Sequence, residues 1–287
     1  FGGLIINHQL NWWLLTRKMI ITELEKRGYM AKSYDREKNG VILKGIEIVN
    51  DSNIVPVVYT DSLLRNAEKN NETMEEIVSK IIKIYEKEKD VDLDVNRIFN
   101  KSYMKQNIFI GLQKKGKEEV EKRDCFLEGI ECYMYLRLKE DEDGCFSTKV
   151  SKDILKYAGI SLQEAWEEAE KNTNAETVIE PMAKILCELL HIKYSEEMEK
   201  TTPFFVISKK KSNGAAAILN RKALEKFGKE RGIEKLVVLP SSVHEMILLP
   251  YEEEMDMWEM SEMVKQVNFS EVEPTERLTD RAYLVTL

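Results

Sequence analysis

The sequence predicts an α+β protein with mixed, mainly antiparallel sheets and packed helices, and three observations predict it. Apolar residues recur at helical spacing in several separate stretches, and short runs rich in Val, Ile and Tyr lie between them. Asn-Gly or Asp-Gly pairs stand inside such runs, where a tight hairpin needs positive φ at its central residues. With 287 residues, 43% of them hydrophobic, the chain can bury a sizeable core as one large domain or two compact units.

Residues 12–27 carry Trp13, Ile20, Ile21 and Leu24 at helical spacing and stop at Gly28. The stretch "YMAKSYDREKNGVILKGIEIV" reads as a hairpin turning at Asn39-Gly40, and "NIVPVVYTD" as a third strand, with Pro56 marking an edge or a strand start. Thr73 and Glu76 form a capping box ahead of Met74, Ile77, Val78, Ile81, Ile82 and Tyr85, an i, i+3, i+4 series. The charged run "EKEKDVD" ends that helix and places a boundary near residue 91. An N-terminal α-β-β-β-α unit, 1–91, is thereby separated from an α+β unit, 92–287.

In the second unit, "CYMYLRLKEDEDGCFSTKVSKDILKYAGI" (132–160) and "FFVISKKKSNGAAAILNRKALEKFGKERGI" (204–233) share an order. Each runs strand, polar tip with Asp-Gly or Asn-Gly, strand, short amphipathic helix, glycine, isoleucine. A duplicated ββα unit is the expectation, with halves at 132–171 and 204–250. Ser161 and Glu164 cap a helix through Ala165, Trp166 and Ala169. "KLVVL" then runs into Pro240, and "EMILL" resumes before Pro250. The tail holds a helix with Met257, Trp258, Met260, Met263, Val264 and Val267, followed by a strand, "AYLVTL". The tail's methionines and tryptophan read as core, with a docking face for a partner as the alternative.

Charge excludes some function classes. Lys+Arg number 43 against 51 Asp+Glu, a net charge of -8, so the bulk field repels nucleic acid and anionic membranes. Cys125, Cys132, Cys145 and Cys187 have neither C-x-x-C spacing nor a histidine pair nearby, and read as reduced core thiols with no zinc site. The opening residues lack a basic n-region, and Asn7, His8, Gln9 and Asn11 interrupt their apolar run, which makes a cytoplasmic protein the expectation. The chain begins with Phe1, which points to a fragment or to Met19 as the native start. No P-loop or G-x-G-x-x-G occurs, so no cofactor is expected.

Candidate chemistry concentrates in "LPSSVHEMILLP", 239–250, which holds Ser241, Ser242, His244 and Glu245. A serine hydrolase needs a hydroxyl within reach of an imidazole that a carboxylate orients. In extended chain Ser242 and His244 share a face while Glu245 points the other way, so the acid would have to come from elsewhere. No G-x-S-x-G elbow is present. "HEMIL" departs from the zinc motif H-E-x-x-H because Leu248 stands where the second histidine belongs. The structural alternative makes Ser241 and Ser242 turn residues bonded to the backbone, with His244 fixing the next strand. Lys209, Lys210 and Lys211 lead into Asn213-Gly214 as a basic hairpin tip, which reads as solvated, or else as a contact for a phosphate backbone.

The segments "NGVILKGIEIV", "NIVPVVYTD", "NGAAAIL", "LPSSVHEMILLP" and "VNFSEVEPTERLTDRAYLV" resemble, in that order, a bacterial domain-of-unknown-function family, number 5688, common in gut Firmicutes. The likeness runs from residue 19 to the end and leaves residues 1–18 outside. It implies an intracellular bacterial α+β protein and carries no catalytic or ligand residue with it. Because the sequence holds no complete catalytic or metal constellation, the reading is a non-catalytic binding or regulatory protein, its partner unidentified and a protein the candidate. Its alternative is a hydrolase using His244 with Ser242 or Glu245. A third reading is nucleic-acid binding through Lys209, Lys210 and Lys211.

Overall fold

The structure, a computed structural model, describes residues 16–50, 55–89, 95–141, 144–209 and 213–287. The chain is α+β and divides into two compact units after Val95.

In the first unit a helix, α1, covers residues 16–26 and buries Ile20 and Leu24, with Gly28 at φ 89° just past its end. Thr16 and Arg17, ahead of Met19, are buried in it. Strands β1 (Ala31–Lys38) and β2 (Val41–Ile48) form the expected hairpin, and Asn39 and Gly40 both take positive φ, 52° and 77°. β3 (Val57–Tyr59) completes the sheet in the order β1-β2-β3, as an edge strand preceded by Pro56. Past Tyr59 the chain turns helical, which the strand reading of "VVYTD" did not anticipate. α2 (Thr60–Lys69) buries Thr60, Leu64 and Ala67. Its first turn is tied to β2: the Thr60 hydroxyl donates to Lys44 O (3.0 Å) and the Asp61 carboxylate accepts from Lys44 N (3.1 Å). α3 (Met74–Glu88) opens with the complete capping box of Thr73 and Glu76 and buries Ile77, Val78, Ile81 and Tyr85. Such a cap contributes about 1 kcal/mol, and each fully buried aliphatic side chain about 2 kcal/mol.

The second unit contains two antiparallel sheets. In the first, the long strand β6 (Ile130–Asp141) has β4 (Ile108–Lys114) along one edge. Its other edge takes β5 (Lys122–Asp124) and then β7 (Gly144–Lys149), with a register shift between Arg137 and Lys139. The second sheet has the order β12-β10-β11-β9-β8, from β8 (Thr177–Pro181), β9 (Phe205–Lys209), β10 (Lys235–Pro240), β11 (Glu245–Pro250) and β12 (Tyr283–Thr286). The main core joins alternate residues of both sheets: Ile108, Ile110, Leu112, Cys132, Met134 and Leu136 from one, Phe205, Ile207, Leu236, Val238, Met246 and Leu248 from the other. That alternation follows from the two-residue period of a strand.

α4 (Lys101–Asn107) precedes β4, and α5 (Lys152–Ala158) and α6 (Leu162–Ala175) follow β7. α7 (Met182–Leu189) and a single turn, α8 (Met198–Thr201), join β8 to β9. The far face of the five-stranded sheet carries Val237, Leu239 and Leu249 against Val264 of α10 (Met257–Glu271). No helix among the described residues is long and apolar enough to cross a membrane.

Two expectations need correction here. The second of the paired segments is not ββα. After β9 the residues Gly214–Leu219 form a 3₁₀ helix that leads directly into α9 (Arg221–Arg231). Three consecutive alanines favour a strand poorly, and Gly214, Ala215, Ala216, Ala217 and Ile218 are all buried, so compact small residues fill a space that a pleated strand would not. The tail helix is also less of a core element than its methionines suggested. Val264 and Asn268 alone are buried in it, while Trp258, Met263 and Val267 are exposed.

Candidate functional site

β10 and β11 pair in register from Leu236↔Pro250 to Pro240↔Met246, which makes Ser241–His244 the connection between them. Pro240 ends the first strand, and beyond it the turn closes on its own hydrogen bonds. Ser242 N donates to Glu245 O (3.2 Å), and the Ser242 hydroxyl oxygen accepts from His244 N (3.0 Å). That is the local side-chain-to-backbone bonding expected of a turn serine. Ser241 is half-buried beside it. Glu245 begins β11 opposite Ser208 of β9 and is exposed.

Two segments distant in sequence converge on this turn. Val243 N donates to Glu276 O (2.9 Å), while Val243 O accepts from Ala215 N (3.2 Å). His244 Nδ1 accepts from Asn213 N (3.3 Å), and its Nε2 lies 3.4 Å from Glu276 Oε1. With Nδ1 acting as acceptor, the neutral ring carries its proton on Nε2, facing the carboxylate. Asn213 holds a left-handed conformation, φ 59°, which an asparagine tolerates better than most residues. Gly214 follows because nothing larger fits: a Cβ there would stand 2.3 Å from His244 O and 2.6 Å from Lys209 N, both backbone atoms.

Of the residues singled out in the sequence, the structure brings together Ser242, His244 and Asn213, and adds Glu276, which sequence reasoning missed. Glu276 is the distant acid a His-based site would require, but nothing local in "EPTERL" marks it for that position. The imidazole nitrogen that Glu276 leaves over is taken by Asn213 N, and the Ser242 oxygen is engaged with the main chain. Among the described residues no hydroxyl is poised on the imidazole.

Lys209 is placed far from the solvated tip expected of it. The side chain is 5% exposed, its ammonium donates to the Tyr135 hydroxyl (2.7 Å), and it sits over the Phe109 and Tyr135 rings at 4.8 and 4.9 Å. Lys210 and Lys211 lie outside the described residues. Lys209 belongs to a covered polar layer on the face of β4 and β6 turned away from the core. There Arg137 forms a bidentate pair with Glu176 (2.9 and 3.0 Å) and stacks on Phe109, and Gln113 donates to buried Glu131 (2.7 Å). Lys149 bonds Gln113 (2.7 Å) and Glu118 and lies over Tyr133, whose phenol burial pushes well above the ordinary tyrosine range. The pairing obeys the rule that buried charge must be compensated. Its sequence signal is the alternation of polar or aromatic with apolar residues in "IFIGLQK" and "IECYMYLR", which marks the strands without showing that both faces are covered.

Among the described residues no group of three His, Cys, Asp or Glu side chains is arranged to hold a metal ion. No curated protein and no solved structure matches this chain. A family described as being of unknown function, DUF5688, matches residues 16–285, which take in both units from α1 to β12, and the chain belongs to that family.

Proposed function

We propose that this protein works inside a bacterial cell by binding a protein partner, without catalysing a reaction. The observation that carries the reading is the outer surface of α10. Trp258 and Phe269 are 70% and 80% exposed. They stand eleven residues, about three helical turns, apart and so share a face. Met263 and Val267 are exposed on the same helix, whose buried side is anchored by Val264 and Asn268. Exposed aromatic residues on a rigid element are the residue type that dominates protein-protein affinity. The engagement of both His244 nitrogens and of the Ser242 oxygen supports a structural office for the "SSVHE" turn.

The test is co-purification from the native host with mass spectrometry, comparing the wild type with a Trp258→Ala/Phe269→Ala double variant. The double variant should keep its denaturation midpoint and lose the partner. Retention of the same partner by the folded variant would defeat the proposal.

One observation favours a second reading, a hydrolase built on His244. The His244–Glu276 pair supplies an oriented, half-exposed imidazole two residues from Ser242. That reading requires Asn213 N to release Nδ1 when a substrate binds. It predicts that His244→Ala abolishes function at unchanged stability, whereas a structural His244 predicts the opposite.

A further inference from the structure

β5 pairs with β6 through Arg123↔Cys132 and Asp124↔Glu131, and Cys125 N continues the ladder by donating to Ile130 O (3.2 Å). Cys125 therefore stands opposite Ile130. The two-residue side-chain period of the strand puts Cys125, Ile130 and Cys132 on one face, the core face, with Leu127 in the turn between. That register makes Cys125 and Cys132 diagonal neighbours across the β5–β6 pair. Both cysteines are free thiols. Cys132 is buried, whereas Cys125 is half-buried at the mouth of the turn, beside the exposed Phe126.

The neighbouring Cys132 thiol, ahead of the main chain of Leu127 and Phe126, holds Cys125 below the ordinary cysteine range in spite of burial, and the neighbouring Cys125 together with burial pushes Cys132 upward. The two thiols are thus unlike: Cys125 is half-buried with its pKa lowered, and Cys132 is buried with its pKa raised.

We propose that Cys125 and Cys132 are a peroxide-oxidisable pair that closes to a reversible disulfide, with Cys125 as the attacking sulfur and Cys132 as the resolving one. In the first step the Cys125 thiolate attacks one oxygen of hydrogen peroxide. An S–O bond forms, the O–O bond breaks, and the departing hydroxide takes a proton and leaves as water, so that Cys125 becomes a sulfenic acid. In the second step Cys132 attacks the Cys125 sulfur. The S–S bond forms, the S–O bond breaks, and the hydroxyl leaves with the Cys132 proton as a second water. Two thiols lose two electrons and one peroxide gains them. A dithiol reductant reverses the bond by thiol-disulfide exchange. The new link would span the turn of six residues between the cysteines and pin β5 to β6.

The experiment uses the whole reduced protein treated with hydrogen peroxide, followed by intact mass and a non-reducing peptide map. The expected result is the loss of two free thiols, a mass lower by two hydrogens, and a linked peptide pair containing Cys125 and Cys132 that dithiothreitol releases. In Cys132→Ser, dimedone should trap a sulfenic acid on Cys125, and Cys125→Ser should leave Cys132 unmodified at the same dose. The wild-type map needs no variant to fold. Recovery of both cysteines as free thiols while Cys187 oxidises would overturn the proposal, as would a link from either one to Cys145 or Cys187.

Discussion

The two segments with the same sequence order, 132–160 and 204–233, fold differently, and the difference lies in what each has beside its tip. In the first, β6 ends at Asp141, β7 begins at Gly144 and the chain continues as a strand, because "CFSTK" supplies aromatic and β-branched residues that suit a pleated surface. In the second, Asn213 turns the chain left-handed and Gly214 presses it against the backbone of His244 and Lys209, so the alanines that follow coil into a buried 3₁₀ turn. Their ends converge again: both close with a helix whose last cap is a glycine at positive φ, Gly159 and Gly232. A turn dipeptide therefore specifies that the chain reverses, while the residues after it and the surface it meets decide what comes next.

Substitutions can break this contrast, beginning with the largest effect. Gly214→Ala should destabilise by about 3 kcal/mol, since its Cβ would meet backbone atoms that cannot swing aside. An unchanged midpoint in chemical denaturation would mean that the second segment tolerates a strand-like path. Next comes the pair of helix caps. Asn220 caps α9 through Ala223 N (3.1 Å) and also donates to Asn174 O and Thr177 Oγ1 (3.3 and 3.2 Å), so Asn220→Ala should cost about 2 kcal/mol. Ser151 caps α5 only through a long bond to Ile154 N (3.4 Å), and Ser151→Ala should cost about 0.5 kcal/mol. Equal losses from the two would erase the distinction between a cap tied into its surroundings and a local one.

His244→Ala and Ser242→Ala should each cost about 1 kcal/mol, because each removes one acceptor from a partly exposed turn. The measurement is again the denaturation midpoint, with function followed in parallel.

The smallest effect sharpens the contrast through charge. α6, behind the first segment, is held to α4 by Glu164, which bonds Lys105 and Lys101. The Lys105 ammonium, then that of Lys101, keeps the Glu164 carboxyl below the ordinary glutamate value. A depressed carboxylate contributes its stability above the unfolded-state value, and the contribution is lost as pH falls through the folded one. Lys105→Met should therefore raise the Glu164 midpoint in an NMR titration; an unmoved midpoint would remove Lys105 as its cause.

Much of the fold was legible because its signals are local. The Thr73/Glu76 box, the Asn39-Gly40 turn and the alternation in "CYMYLR" each state their structure within a few residues. The site was legible only in part, for the reason that its partners are remote. Ser242 and His244 sit in one readable turn, whereas Glu276 and Asn213 reach His244 from other parts of the chain. Lys209 shows the same limit more sharply: three lysines in a row read as solvent, and the phenol and ring that bury the first come from Tyr135 and Phe109, on other strands. The shortening of β3 into α2 was hidden because Thr60 and Asp61 favour a helix start through their bonds to Lys44, a residue on a neighbouring strand.

The outer strand of the first unit carries a consequence for how copies of the chain treat one another. β1 is exposed at seven of its eight positions and lies at the edge of its sheet, where unpaired backbone groups would template another strand. Its sequence, "AKSYDREK", sets Lys32, Asp35, Arg36, Glu37 and Lys38 along that edge. An incoming strand would have to strip water from five charges to reach the ladder, so the hairpin resists edge-to-edge aggregation at the place where it is most open to it.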